Sequence, residues 1–249
     1  MALVAFGAAY AAIQPNTSAN AEAASNAEIA KGKQLYDISC ITCHGIDAQG
    51  VPDQGPPLIG VGAASVDFQL GTGRMPLAAP GQQAVSRKPV FAPDEIAAIS
   101  AYIDSLAPGP SIPTKDQYDT SHVSDAELAQ GGQLFRTNCA GCHNFAGKGG
   151  ALPDGGHAPA LTDTSPKHMY EAMITGPQQM PVFSDKTITP QDKREIIAFI
   201  EHARTQASMG GNDLGGTGPV AEGLWAWIAG IGACVLVAVW LGAKGVRAK

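Results

Sequence analysis

With 249 residues, 15% of them charged and only 6% aromatic, the chain has a thin supply of side chains for a conventional core, whether it folds as one large domain or two small ones. A net charge of −6 argues against a nucleic-acid partner, and 30 glycines with 18 prolines favour short helices joined by irregular loops. Four of the five cysteines fall into two tight pairs and the fifth, Cys234, lies in an apolar run, so no pair is left for a structural disulfide.

Met1 to Ile13 is apolar, but 13 residues are too few to span a bilayer, and no basic residues accompany them as in a complete signal peptide. The segment reads as the outer part of an N-terminal anchor or signal, with Ala-x-Ala-like cleavage sites near Ala19 to Ala24. Residues 14–27, rich in Asn, Ser and Ala, read as a tether.

Gly32-Lys33-Gln34-Leu35-Tyr36 opens a short helix that runs into Cys40-Ile41-Thr42-Cys43-His44. The same order returns 99 residues later, as Gly131-Gly132-Gln133-Leu134-Phe135 and Cys139-Ala140-Gly141-Cys142-His143. Two cysteines three apart can each add across a vinyl group of one haem, and the following histidine can turn onto the iron from the same side. Cys-x-x-Cys-His therefore reads as covalent c-type haem attachment. A thioredoxin-like redox pair or a zinc site also uses Cys-x-x-Cys. The flanks show no strand alternation for the first, and a four-cysteine zinc site would leave both trailing histidines as coincidences.

A Pro/Gly loop follows each motif, Gly55-Pro56-Pro57-Leu58-Ile59-Gly60 and His157-Ala158-Pro159-Ala160-Leu161. Then come Thr72-Gly73-Arg74-Met75-Pro76 and Thr175-Gly176-Pro177-Gln178-Gln179-Met180-Pro181. Each half closes with an amphipathic helix announced by proline and an acid. Ile96, Ile99, Tyr102, Ile103 and Leu106 share one face in the first half, and Ile196, Phe199 and Ile200 share one in the second. Leu224 to Gly242 carries no charge over about 19 residues, roughly 28 Å as a helix, which matches a bilayer core. Trp225, Trp227 and Trp240 lie near its ends, and Lys244, Arg247 and Lys249 follow, which orients the C-terminus toward the cytoplasm.

This order of helix, Cys-x-x-Cys-His, Pro/Gly loop, Met-Pro and amphipathic helix resembles the class I cytochrome c fold, twice in tandem from roughly Ala27 to Gln206. The expected architecture is mainly α. Two cytochrome c domains occupy 28–109 and 124–207 with a linker at 110–123, followed by a Gly-rich linker at 208–223, a membrane helix at 224–243 and a cytoplasmic tail at 244–249. The resemblance implies two covalently bound haem c groups, one on Cys40 and Cys43 and one on Cys139 and Cys142. It implies His44 and Met75 as axial ligands of the first iron and His143 and Met180 as those of the second, a closed pairing suited to electron transfer. Met180 competes with Met169 and Met173, whose helical spacing favours a core role. A proline carbonyl is also implied as acceptor for the other imidazole nitrogen. Pro57 and Pro159 fit that position, with Pro56 as a rival to Pro57. Arg74 either pairs with a haem propionate or is merely exposed, and His157 is the one further histidine worth testing as a ligand.

The full layout is similar to the dihaem cytochrome c subunit of the actinobacterial menaquinol–cytochrome c reductase, the cytochrome bcc complex. Gly45 to Gly62, Cys139 to Ala151 and Thr175 to Phe183 carry the likeness. It implies an electron-transfer subunit of a translocase, with no substrate chemistry of its own. The implied partners are a cytochrome b, a Rieske iron–sulfur protein and a haem-copper terminal oxidase. The haem domains would lie outside the cell membrane, the first accepting from the Rieske protein and the second donating to the oxidase. Two other classes share the motifs: a dihaem subunit of an oxidase or periplasmic dehydrogenase, and a dihaem peroxidase, which needs an iron with an open position.

Overall fold

The computed structural model describes residues 25–81, 83–153, 155–205 and 219–247. The expected N-terminal anchor, most of the tether and most of the Gly-rich linker lie outside the described residues. Two compact units meet in sequence between Ile112 and Pro113.

In the first unit, α1 (Asn26–Ser39), α2 (Ile41–His44), α3 (Gly62–Gly71) and α4 (Pro93–Leu106) surround one core. Ser25 caps α1 by accepting the Glu28 N–H at 3.2 Å, and Pro93 with Glu95 starts α4, the Glu95 carboxylate accepting the Ala92 N–H at 2.8 Å. The core gathers Tyr36 from α1, Val66 and Leu70 from α3, and Ile96, Ile99, Tyr102 and Ile103 from α4. The apolar face expected of Ile96 to Leu106 is thus turned inward except at Leu106, which is exposed at the helix end. Helix α3, between the two loops, carries too little one-sided periodicity to be expected from sequence.

The second unit repeats this plan with α5 (Lys115–Tyr118), α6 (Asp125–Asn138), α7 (Ala140–His143), the hairpin β1 (Gly150–Ala151) and β2 (His157–Ala158), α8 (Pro166–Thr175) and α9 (Pro190–Thr205). The hairpin is antiparallel, pairing Gly150 with Ala158 and Ala151 with His157. Ser124 and Glu127 cap α6 reciprocally, through Ser124 N–H to the Glu127 carboxylate at 2.8 Å and Glu127 N–H to Ser124 Oγ at 3.4 Å. Phe135, Met169, Tyr170, Met173, Ile188, Ile196, Ile197 and Ile200 form the core. The turn α5, inside the stretch expected as a linker, packs on α8 and α9.

One close approach defines both units. A Cβ on Gly32 of α1 would sit 1.9 Å from the Ala98 carbonyl oxygen of α4, and one on Gly131 of α6 would sit 2.0 Å from the Glu195 carbonyl oxygen of α9. The helix that leads into each cysteine motif therefore crosses the closing amphipathic helix of its unit backbone to backbone, where only glycine fits. Beside each crossing two rings meet at 5.4 Å between centroids, Tyr36 with Tyr102 and Phe135 with Phe199.

A final helix, α10 (Pro219–Arg247), contains a 22-residue apolar stretch, Gly223–Lys244, with mean hydropathy 2.2 and no buried side chain among the described residues. It is long and apolar enough to cross a membrane. Near its end the Lys244 ammonium lies 4.1 Å from the Trp240 ring centroid, a contact suited to an interfacial anchor.

Candidate haem attachment sites

The leading helix does not run unbroken through the motif. Cys40 closes α1 with φ −121°, and a separate turn, α2, carries Cys43 and His44. Cys40 N–H still donates to Tyr36 O at 2.8 Å, while Cys43 and His44 donate back to Cys40 O at 3.2 and 2.9 Å. The second motif copies this: Cys139 to Phe135 O at 2.8 Å, Cys142 and His143 to Cys139 O at 3.1 and 2.9 Å. Spacings of three and four within one turn keep both thiols and the imidazole on neighbouring faces.

Immediately after each histidine the chain reverses through a left-handed residue, Gly45 at φ 80° and Asn144 at φ 67°. Asn144 takes this positive φ with ψ 155°, outside the αL well that asparagine favours, and its Oδ1 accepts the Ala146 N–H at 2.9 Å. The reversal is closed by Gly50 N–H to His44 O at 2.8 Å and Gly149 N–H to His143 O at 2.9 Å. It is then anchored by Leu58 N–H to Ala48 O and Leu161 N–H to Gly147 O, both at 2.8 Å. These two leucine bonds set the register of the proline segment.

That register corrects one expectation. His44 Nδ1 lies 2.7 Å from the carbonyl oxygen of Pro56, not of Pro57, and His143 Nδ1 lies 3.0 Å from the carbonyl of Pro159. Matching the Pro/Gly segments by their prolines alone pairs Pro57 with Pro159. The folded loops pair Leu58 with Leu161, so the proline two residues earlier is Pro56 in one half and Pro159 in the other. A carbonyl can only accept, so Nδ1 carries the proton and Nε2 keeps its lone pair for a metal. Sixteen residues separate His143 from its proline and twelve separate His44 from its own, and the β1–β2 hairpin takes up the difference.

The thioethers fall on the same cores as the motifs. Cys40, Ile41, Leu58 and Met75 border the first core, and Cys139, Ala140, Leu161 and Met180 border the second. Met169 and Met173 are 4% and 5% exposed inside the second core, and Met169 Sδ receives the Arg204 guanidinium at 3.8 Å. Both are spent on packing, whereas Met180 stays half-buried at the rim, as Met75 does. The loop after Met180 is held by Lys193, whose fully buried ammonium donates to Asp185 at 2.6 Å and to Ile188 O at 2.9 Å. Arg204 also donates to the carbonyls of Leu161 and Thr164. Neither basic residue carries a signal in the sequence, because each acts on backbone oxygens brought near by the fold. His122, His157 and His202 are exposed.

The donor set suits a c-type haem. Burial pushes the Cys40 and Cys139 thiols up to about 11, so they are not poised as redox thiolates. Burial also holds His143 below the usual imidazole range against the opposing pull of its bond to Pro159, which favours the neutral, ligating form. Two thiols, a neutral imidazole with one nitrogen tied back, and a rim thioether on the same core are the groups such a cofactor takes.

Fold and donor set together define a protein of two tandem cytochrome c domains, a fold built around haem c. The family model described as "Cytochrome c" matches residues 29–107, and that described as "Cytochrome C oxidase, cbb3-type, subunit III" matches residues 126–200. The cytochrome bc1 complex cytochrome c subunit of Corynebacterium diphtheriae is 42% identical over 94% of this chain and 87% of its own length. That of Mycobacterium leprae is 44% identical over 98% and 86%. The cbb3-type cytochrome c oxidase subunit FixP of Bradyrhizobium diazoefficiens is 31% identical over only 54% of this chain and 44% of its own length. The chain belongs to the family of cytochrome c subunits of the actinobacterial cytochrome bc1 complex.

Proposed function

We propose that the chain carries two haem c groups and passes electrons from a Rieske iron–sulfur protein to a haem-copper terminal oxidase, as a subunit of a menaquinol–cytochrome c reductase. The observation that carries this reading is the duplication of one complete donor arrangement on one chain, within a family of bc1-complex subunits. Haem c supplies reversible one-electron chemistry at its iron. Cys40 and Cys43 hold the first group covalently, and Cys139 and Cys142 the second. His44 and His143 present Nε2 while the Pro56 and Pro159 carbonyls fix the tautomer and raise imidazole basicity. Met75 and Met180 would hold the irons from the other side as soft thioethers, a pairing that would favour the reduced state and suit electron transfer. Helix α10 anchors the chain, with the basic residues after Trp240 toward the cytoplasm and both haem domains on the opposite side.

A second reading, a dihaem subunit of a haem-copper oxidase, draws on the cbb3-type match to residues 126–200. It is weaker because the FixP relative spans about half the chain while the bc1-complex relatives span nearly all of it. Isolation of the full chain from membranes in mild detergent separates the readings. Two covalent haems per chain, recovered with cytochrome b and Rieske protein, are expected. Recovery with oxidase subunits alone would favour the second reading, and carbon monoxide binding to either reduced haem would favour a peroxidase-type site.

A further inference from the structure

Arg74 directly precedes Met75, and its guanidinium lies 4.9 Å from the ring centroid of Phe68, a buried residue of α3. The side chain is half-buried. No carboxylate among the described residues pairs with it. A guanidinium has five donors in a rigid fork, and a partly desolvated cation stacked on an aromatic face needs an anionic acceptor to offset its lost hydration. Arg87, the other arginine of this unit, is exposed and needs none. In the second unit the residue before the matching methionine is Gln179, which carries no charge.

We propose that Arg74 is a positioning residue that binds a propionate of the first haem, and that the second site has no such cation beside its methionine. The inference rests on the haem reading above. The carboxylate completes the guanidinium's hydrogen bonding, and Phe68 holds the fork in place from the other side. A fixed positive charge beside the iron's methionine disfavours the extra positive charge of the ferric state, so it raises the potential of the first haem relative to the second.

The test is a redox titration of the full chain in detergent. The component of the first half is identified as the one lost in the Cys40→Ala/Cys43→Ala double variant. Arg74→Gln and Arg74→Met are expected to lower the first potential and leave the second unmoved, with Arg74→Lys falling between them and wild type. Arg87→Gln, an equal loss of charge at an exposed position, is expected to move neither. Two haems per chain with an unmoved first potential in both neutral Arg74 variants would overturn the role of Arg74 alone. An equal shift in Arg87→Gln would overturn it as a specific contact. Absence of covalent haem from the wild-type chain would overturn the haem reading and this inference with it.

Discussion

Tyr36 and Phe135 hold the same place in the two domains, one turn before the first cysteine and stacked on the last helix, yet only Tyr36 has a hydroxyl. That hydroxyl donates to Gly45 O at 2.6 Å, the residue that reverses the chain after His44. In the second domain Asn144 makes the same reversal with its own side chain closing the turn. Position 96 of the first closing helix is a buried isoleucine, whereas its counterpart in the second is Lys193, which ties down the loop after Met180. Backbone features, by contrast, agree almost bond for bond: the glycine crossing, the turn at the cysteines, the left-handed reversal and the proline carbonyl. The comparison indicates that these sites are specified by backbone geometry, and that each domain supports the same geometry with different side chains.

The largest expected effect comes from removing the attachment cysteines one domain at a time. Cys40→Ala/Cys43→Ala and Cys139→Ala/Cys142→Ala should each halve covalent haem content while sparing the other site. Loss of both haems from either variant would show that the domains are not independent. Next, Met180→Leu should lower the potential of the second haem and abolish its methionine-ligated spectrum, while Met173→Leu, a volume-conserving swap in the core, should cost less than about 1.5 kcal/mol and leave the spectrum intact. The reverse outcome would reassign the ligand.

Gly32→Ala and Gly131→Ala should then destabilise their own domains by similar amounts, about 3 kcal/mol or more, because each Cβ lands on a backbone carbonyl. Thermal unfolding of the two variants would break the comparison if only one domain responded. The smallest effect is expected at Tyr36→Phe, about 1 kcal/mol for the lost bond to Gly45 O. Burial pushes the Tyr36 phenol up to about 12, while an unfolded tyrosine ionises near pH 10. Its contribution is therefore complete below about pH 10 and lost as pH rises through about 12, so unfolding of wild type and Tyr36→Phe should converge across that window.

Much of this was legible because the proposed covalent attachment depends on short motifs. Cys40, Cys43 and His44 must share a turn, and so must Cys139, Cys142 and His143, whatever surrounds them. The Gly32 and Gly131 blocks stood out as a repeat, although their purpose, two backbones in contact, appeared only when the partner helices were in place. Helix α3 and the turn α5 were not expected, since α3 is buried through mixed positions and α5 is a single turn. The choice between Pro56 and Pro57 was open in sequence for a similar reason. Adjacent prolines offer equivalent carbonyls until the Leu58 bond to Ala48 sets the register of the loop.

By itself the sequence determined the donors of the proposed chemistry: two Cys-x-x-Cys-His motifs, candidate thioethers, a tandem order and a long apolar helix, all carried by local spacing and composition. Only the tertiary structure decided which of several like groups lies where that chemistry needs it. It buried Met169 and Met173 and left Met180 at the rim, turned the Pro56 carbonyl to His44, and laid Arg74 on Phe68. Spacing along a chain fixes neighbours within a turn or two, whereas burial and the direction of a carbonyl depend on which distant helix packs against it.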